Sequence, residues 1–163
     1  MSERKQRIEE WLASSRRFLL IVVEAVRDED WRRVAHDDEA RWTARDVWAH
    51  VVGAEPSLLG IITRAQAEGH YVPRPDFDLD FWNRRQVEKR VGKSPADLEA
   101  ELDSHRVATL KLLADLPESA LDFPVRHPRY GDMTVEDVFR LIGFHERLHA
   151  DEIRAANLPP TSS

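Results

Sequence analysis

Residues Thr134 to Ile153 read TVEDVFRLIGFHERLHADEI. Thr134-Val135-Glu136-Asp137 is a Ser/Thr-x-x-Asp helix start, and Val138, Leu141, Ile142, His145, Leu148, His149 and Ile153 then recur at three- and four-residue steps, to about Asn157. This spacing predicts an amphipathic helix. Residues four apart on an α-helix point the same way to within about 40°, so His145 and His149 can present two imidazoles to one ion from a single face. Both share the stripe of Val138 and Ile142, which turns them toward the interior of the protein.

Working outward, two further stretches carry the same kind of start. Thr43-Ala44-Arg45-Asp46 precedes the inner stripe Val47, His50, Val51, Ala54, Leu58, Ile61 and Ile62. Pro56 inside that pattern removes a backbone donor and predicts a bend near Val52. Ser94-Pro95-Ala96-Asp97 places Ser at the N-cap and Pro at the first helical position, ahead of Leu98, Leu102, Thr109, Leu110, Leu113 and Leu116. Pro117 stops that segment. The N-terminal stretch carries Ile8, Trp11, Leu12, Phe18, Leu19, Val22 and Val26 at helical spacing. Four long amphipathic segments predict an all-α four-helix bundle. The stretch GHYVPRPDFDLD, from Gly69 to Asp80, reads as a long crossover between the second and third helices, with helix returning near Phe81 and Trp82. The Gly92-Lys93 break either interrupts the third helix or sets off a short extra one. A further connection runs through Phe123, Pro124, Pro128 and Gly131. One domain is expected over 1–158, followed by a flexible tail at 159–163.

Composition narrows the chemistry. A chain of 163 residues with 42% hydrophobic content suits one sizeable core. Cysteine is absent, so imidazole and carboxylate are the only strong metal ligands available. The net charge of −6 comes from 30 acidic and 24 basic side chains with no basic block, which on composition excludes nucleic acid as a partner. The opening MSERKQRIEEW has no apolar signal core, and no apolar run approaches the roughly 18 residues of a membrane span. A cytoplasmic location with no membrane partner is the expectation.

His50 lies on the inner stripe of the second helix, so a bundle that brings this helix beside the last one supplies a third imidazole to the His145/His149 pair. Three neutral imidazoles with an open fourth position form a catalytic type of site. A lone interior histidine is more often hydrogen-bonded to a carbonyl, and for His50 that reading stands beside the ligand reading. His36, His70, His105 and His127 read as solvated or structural. The string His145-Glu146-Arg147-Leu148-His149 is HExxH, the zinc metalloprotease motif with Glu146 as general base. No further histidine follows it, and the chain lacks the mixed α/β platform that holds an extended peptide. Glu146 is turned about 100° from His145, which suits a surface partner for an arginine, whereas Glu152 lies one turn beyond His149 and can orient a ligand or take a proton. Arg106, or Arg84 and Arg85, could hold an anionic substrate, although solvated helix-surface charge is the commoner role of each. The two long connections are expected to rim a pocket, with Trp82 and Tyr130 among its aromatics.

The run Trp42-Thr43-Ala44-Arg45-Asp46-Val47-Trp48-Ala49-His50, a long gap, and then His145-Glu146-Arg147-Leu148-His149-Ala150-Asp151-Glu152-Ile153 resembles the DinB-like superfamily of damage-inducible and thiol-handling proteins. The resemblance spans nearly the whole chain. It implies a four-helix bundle with a long second crossover and a metal triad that maps onto His50, His145 and His149. Members include mycothiol-dependent maleylpyruvate isomerases, bacillithiol transferases and metal-dependent hydrolases. The resemblance implies a divalent ion, zinc or nickel, and an exogenous low-molecular-weight thiol delivered to a small-molecule substrate in transfer or isomerisation. Two other functions stay open: a hydrolase using metal-bound water with Glu146 or Glu152 moving the proton, and a non-catalytic, stress-related binding or sequestering module. Bundles of this kind pair through exposed apolar faces, which admits a homodimer, but no stripe marks its surface.

Overall fold

In the computed structural model, which describes residues 1–36 and 38–159, the elements run α1 (Glu3–Glu24), α2 (Ala44–Glu68), α3 (Leu79–Glu88), α4 (Pro95–Asp115), β1 (Pro124–His127), β2 (Gly131–Thr134) and α5 (Val135–Ala156). Short 3-10 turns at Asp28–Arg32 and Glu118–Asp122 join them. The starts at Thr43, Ser94 and Thr134 are complete capping boxes. In each, the hydroxyl accepts from the backbone three residues on, and the Asp reaches back to the N-cap N–H, at 3.0, 3.1 and 2.8 Å respectively. Aspartate is short enough to close the box from the third position, so these helices begin where their local sequence directs.

The four long helices form the bundle. α5 packs between α1 and α2, and α2 meets α4 on its other side. The approach of α1 to α5 depends on Gly143, where a Cβ would stand 2.5 Å from Trp11 Nε1 and 2.8 Å from Ser15 Oγ. Trp11 in turn donates to the Arg140 carbonyl at 2.9 Å. α2 runs unbroken through Pro56 to Glu68, and the Ser57 hydroxyl donates to the Gly53 carbonyl at 3.0 Å. At Gly53 itself a side chain would meet Arg90 Nη1 at 2.9 Å, so the bare backbone lets the end of α3 close down on α2.

The apolar interior falls into two clusters, one around Ile8, Leu12, Ile62, Leu113 and Phe139, the other around Leu19, Trp48, Leu98, Leu102 and Ile153. Along every long helix the boundary between them is a buried polar residue: Arg16, Glu55, Arg106 and Glu146.

One open alternative is decided and one expectation changes. The Gly92-Lys93 break separates a distinct short helix, α3, from α4, and α3 begins at Leu79 under an Asp78 cap. The connection before α5 is not all loop, because Pro124↔Thr134 to His127↔Gly131 pair as an antiparallel hairpin. Its three-residue turn closes at Gly131, whose φ of +74° suits glycine. The crossover is stitched to this hairpin, since Tyr71 N–H donates to the Pro124 carbonyl at 2.9 Å and Arg126 N–H to the Tyr71 carbonyl at 2.8 Å. Among the described residues, no helix is long and apolar enough to cross a membrane. Of the tail expected to be flexible, all but Pro159 lies outside the described residues.

Filling the gap at Gly143 is expected to force α1 and α5 apart. Gly143→Ala should lower stability by about 1–3 kcal/mol in chemical denaturation, whereas Gly60→Ala, where a Cβ meets nothing within 4 Å, should not.

Candidate metal centre and its pocket

α2 and α5 bring three imidazoles together. His145 Nε2 lies 3.0 Å from His50 Nε2 and 2.9 Å from His149 Nε2, and one donor atom from each ring lies within 4.8 Å of the others. Glu152 Oε2 sits 2.6 Å from His149 Nδ1 and 2.9 Å from His36 Nε2. A carboxylate only accepts, so His149 carries a proton on Nδ1, the tautomer whose neutral ring turns a bare Nε2 lone pair toward the other two rings. His36 stacks on Trp42, which also leans on His50. Burial works to raise the pKa of Glu152, but the hydrogen bonds and charge of His149 and His36 outweigh it and hold the carboxyl down at about 2. His50 is pushed down to about 3 by burial first and by the neighbouring His149 second. Burial, then His149 and His50, drive His145 well below the usual imidazole range.

Neutral imidazoles whose Nε2 atoms face one another cannot all be satisfied by the one proton each ring carries. A cation resolves the conflict. Ligand nitrogens at 2.0–2.1 Å around a tetrahedral ion stand roughly 3.3 Å apart, close to the separations seen here. The donor set therefore fits a borderline divalent metal with a free coordination position.

His50 and His145 form part of the wall of a cavity of about 750 Å³. Its apolar lining comes from Ile61 on α2, Leu79, Phe81 and Trp82 of α3, and Leu141 on α5, and its polar rim includes Arg64, Arg74, Arg129 and Tyr130. Trp82 is pinned by its Nε1–H to Ser57 Oγ at 3.1 Å. The crossover and the hairpin turn both line the cavity, as do Trp82 and Tyr130.

Glu146 goes elsewhere. It is buried in the bundle centre, where its Oε1 accepts from Arg16 Nε at 2.9 Å and from Arg106 Nη2 at 2.8 Å. Glu55 completes the set, taking Arg16 Nη2 at 2.8 Å, Arg106 Nε at 2.8 Å and the Thr109 hydroxyl at 2.7 Å. Glu146 Oε2 is sealed in with no partner among the described residues. Burial raises the Glu146 pKa, with Glu55 adding to the rise while Arg106 and Arg16 oppose it. The surface role expected for Glu146 is thus replaced by a core one, and the structure does not bring its carboxylate to the cavity. The same holds for Arg106, read as a surface or substrate-holding charge: its other nitrogen donates to the Leu12 carbonyl at 2.9 Å. Arg84 and Arg85 lie outside the lining, with Arg85 paired to Glu88. His36 and His127 are brought to the site's surroundings although neither lies on a helical stripe. The only prior signal for His127 was its place in the His-Pro-Arg-Tyr-Gly turn.

The family model described as the DinB superfamily matches residues 6–153. Among solved structures the chain is similar to YfiT from Bacillus subtilis, described as "a probable metal-dependent hydrolase with an unusual four-helix bundle topology" (TM-score 0.75, 21% identity, covering 96% of this chain and 87% of that one). It is also similar to TT2238, a four-helix bundle protein (TM-score 0.65, 20% identity, 93% and 98% covered). A third is the colibactin self-resistance protein ClbS, solved in complex with a dsDNA (TM-score 0.71, 12% identity, 93% and 94% covered). No curated protein sequence matches the chain. ClbS corrects the exclusion of nucleic acid drawn from composition: a protein of this fold does bind DNA, so the absence of a basic block does not exclude it.

The buried charges should behave as one unit. Arg106→Met is expected to cost about 3–5 kcal/mol by stranding two carboxylates, and adding Glu146→Gln should restore part of that loss. Strictly additive effects in the double-mutant cycle would contradict the coupling.

Proposed function

The chain belongs to the DinB superfamily, and from that premise we propose that it is a metal-dependent enzyme that activates an exogenous low-molecular-weight thiol for transfer or isomerisation. The observation that carries this reading is the conjunction of three converging Nε2 atoms with a cavity whose neighbouring carboxylates are already engaged. Glu152 accepts from two imidazoles, and Glu146 is held by two arginines. The lining carboxylates that remain, Asp76 and Asp78, lie just ahead of α3 and not on the triad's helices.

A divalent ion held by His50, His145 and His149, with zinc or nickel suited to such a donor set, supplies Lewis acidity at its open position. The two candidate nucleophiles differ in what they demand there. A thiol starts near a pKa of about 8.5 and needs a depression of about two units to ionise well at neutral pH, while water starts at about 15.7 and needs about nine. With Glu152 and Glu146 engaged and Asp76 and Asp78 set off the triad's helices, the site suits the smaller demand. The protein contributes no thiol of its own, because the chain has no cysteine. Its residues do the rest: Glu152 fixes the His149 tautomer, Phe81 and Trp82 shield the cavity, and Arg64 and Arg129 offer positive charge at the rim. Hydrolysis is the second reading, favoured by the fold shared with YfiT.

Purified protein is expected to hold about one zinc per chain, and His50→Ala and His149→Ala should each abolish it. Glu152→Gln should keep the three ligands yet weaken zinc about 10- to 100-fold, measured by competition with a chelating dye. Unchanged metal content in both alanine variants would sink the triad. Calorimetry of the zinc form with glutathione, bacillithiol and mycothiol should reveal binding of at least one. Silence with all three, together with chelator-sensitive hydrolysis of activated esters, would move the assignment to the second reading.

A further inference from the structure

His127 ends β1 at the turn of the hairpin, and its Nδ1 accepts from two backbone donors, Arg129 N–H at 3.1 Å and Tyr130 N–H at 3.3 Å. An imidazole nitrogen that accepts carries no proton, so these bonds place the hydrogen of the neutral ring on Nε2. Nε2 makes no hydrogen bond among the described residues. The ring is buried yet lines the same cavity as His50 and His145. Burial first, and the nearby Arg129 guanidinium second, hold its pKa below the ordinary imidazole value. An N–H with its tautomer fixed, open to the cavity and without a protein partner, is placed to donate to an acceptor bound there. Two further cations share the cavity's rim on this account: Arg129, whose tie to Asp80 is long at 3.3 Å, and Arg64, which makes no ion pair among the described residues.

We propose that His127 is a substrate-binding residue: its Nε2–H donates to a carboxylate or carbonyl oxygen of a substrate bound in the cavity that His50 and His145 also line. Together with Arg129 it forms a polar subsite beside the apolar lining of Ile61, Leu79, Phe81, Trp82 and Leu141, which selects a small molecule with an apolar body and one acceptor-rich end. The proposal deepens the assignment of the triad cavity as an active site and names the class of group that the substrate carries. The hairpin thereby has a role beyond connection, since the strand that ends in His127 is the one stitched to the crossover through Tyr71.

Two substitutions separate the donor from the turn. In His127→Asn the side-chain oxygen occupies the place of Nδ1 and can still accept from the turn, but no N–H reaches the position of Nε2. In His127→Gln the amide nitrogen reaches that position while the acceptor at Nδ1 is lost. Benzoate, a carboxylate on an apolar ring, is the probe, followed by NMR titration of ¹⁵N-histidine-labelled protein in zinc-loaded and metal-free forms. The wild type should show an Nε2–H tautomer at His127 and saturable binding of benzoate. His127→Asn should bind it about tenfold more weakly, His127→Gln should stay within about twofold of wild type, and zinc content should be equal in all three. An Nδ1–H tautomer, no saturable binding by wild type, equal affinity of wild type and His127→Asn, or equal weakening in both variants would each overturn the proposal. A wild type that binds no zinc would strike the metal reading alone, because the affinity comparison is complete in the metal-free series.

Discussion

Two arginines and two glutamates, one from each long helix, meet in the middle of the bundle, and their mutual neutralisation is the constraint on which the rest of the arrangement depends. Apolar side chains above and below this layer would accept helices shifted along one another at modest cost. A buried charge would not. Sliding any one helix by a turn strands an ion whose desolvation costs several kcal/mol. Arg106 shows how closed the layer is, with guanidinium nitrogens directed to Glu55, Glu146 and the Leu12 carbonyl. The orphaned Oε2 of Glu146 is the one place where satisfaction is incomplete among the described residues of this layer.

The layer also sets the aim of the histidines. Successive residues on a helix differ by about 100°, so anchoring Glu146 in the centre turns its neighbour His145, and His149 one turn later, toward His50 on α2. On α2, Glu55 is held in the layer and His50, five residues earlier, faces outward from it to meet them. The HExxH string thus divides its duties. Its histidines converge on His50, with His145 reaching the cavity, while its glutamate locks the core, which is a different use of the motif from the protease one.

The cavity is built mostly from parts that are not bundle at all. The crossover, α3 and the β1–β2 turn line the cavity beside His50 and His145, and they are held by backbone pairing at Tyr71, the Trp82 indole bond to Ser57 and the packing of Gln86 and Arg90 on Gly53. Turn-forming composition marked both connections as rims. The hairpin was not visible in it, because strands of four residues, PVRH and GDMT, are too short to display a period of two. α3 was half visible: its capping Asp78 and its aromatic start are local signals, but only its packing against Gly53 distinguishes a separate helix from an interrupted one.

The sequence by itself determined where the helices begin, which faces turn inward and which three histidines could meet. Those features rest on interactions within about four residues, such as the boxes at Thr43, Ser94 and Thr134, and on helical phase, and both are present in any short window of the chain. Arg106 and Glu146 read as helix-surface charges, and nothing local in the sequence marked Arg16 or Glu55. Only the tertiary structure decided otherwise. It brought Arg16 to Glu146 across 130 positions, His36 to Glu152 across 116, and the ring of His127 into the cavity of His50 and His145. The physical reason is that a buried charge or a fixed tautomer is tolerable only beside a particular partner, and which partner arrives depends on how the helices dock, information that no single segment contains.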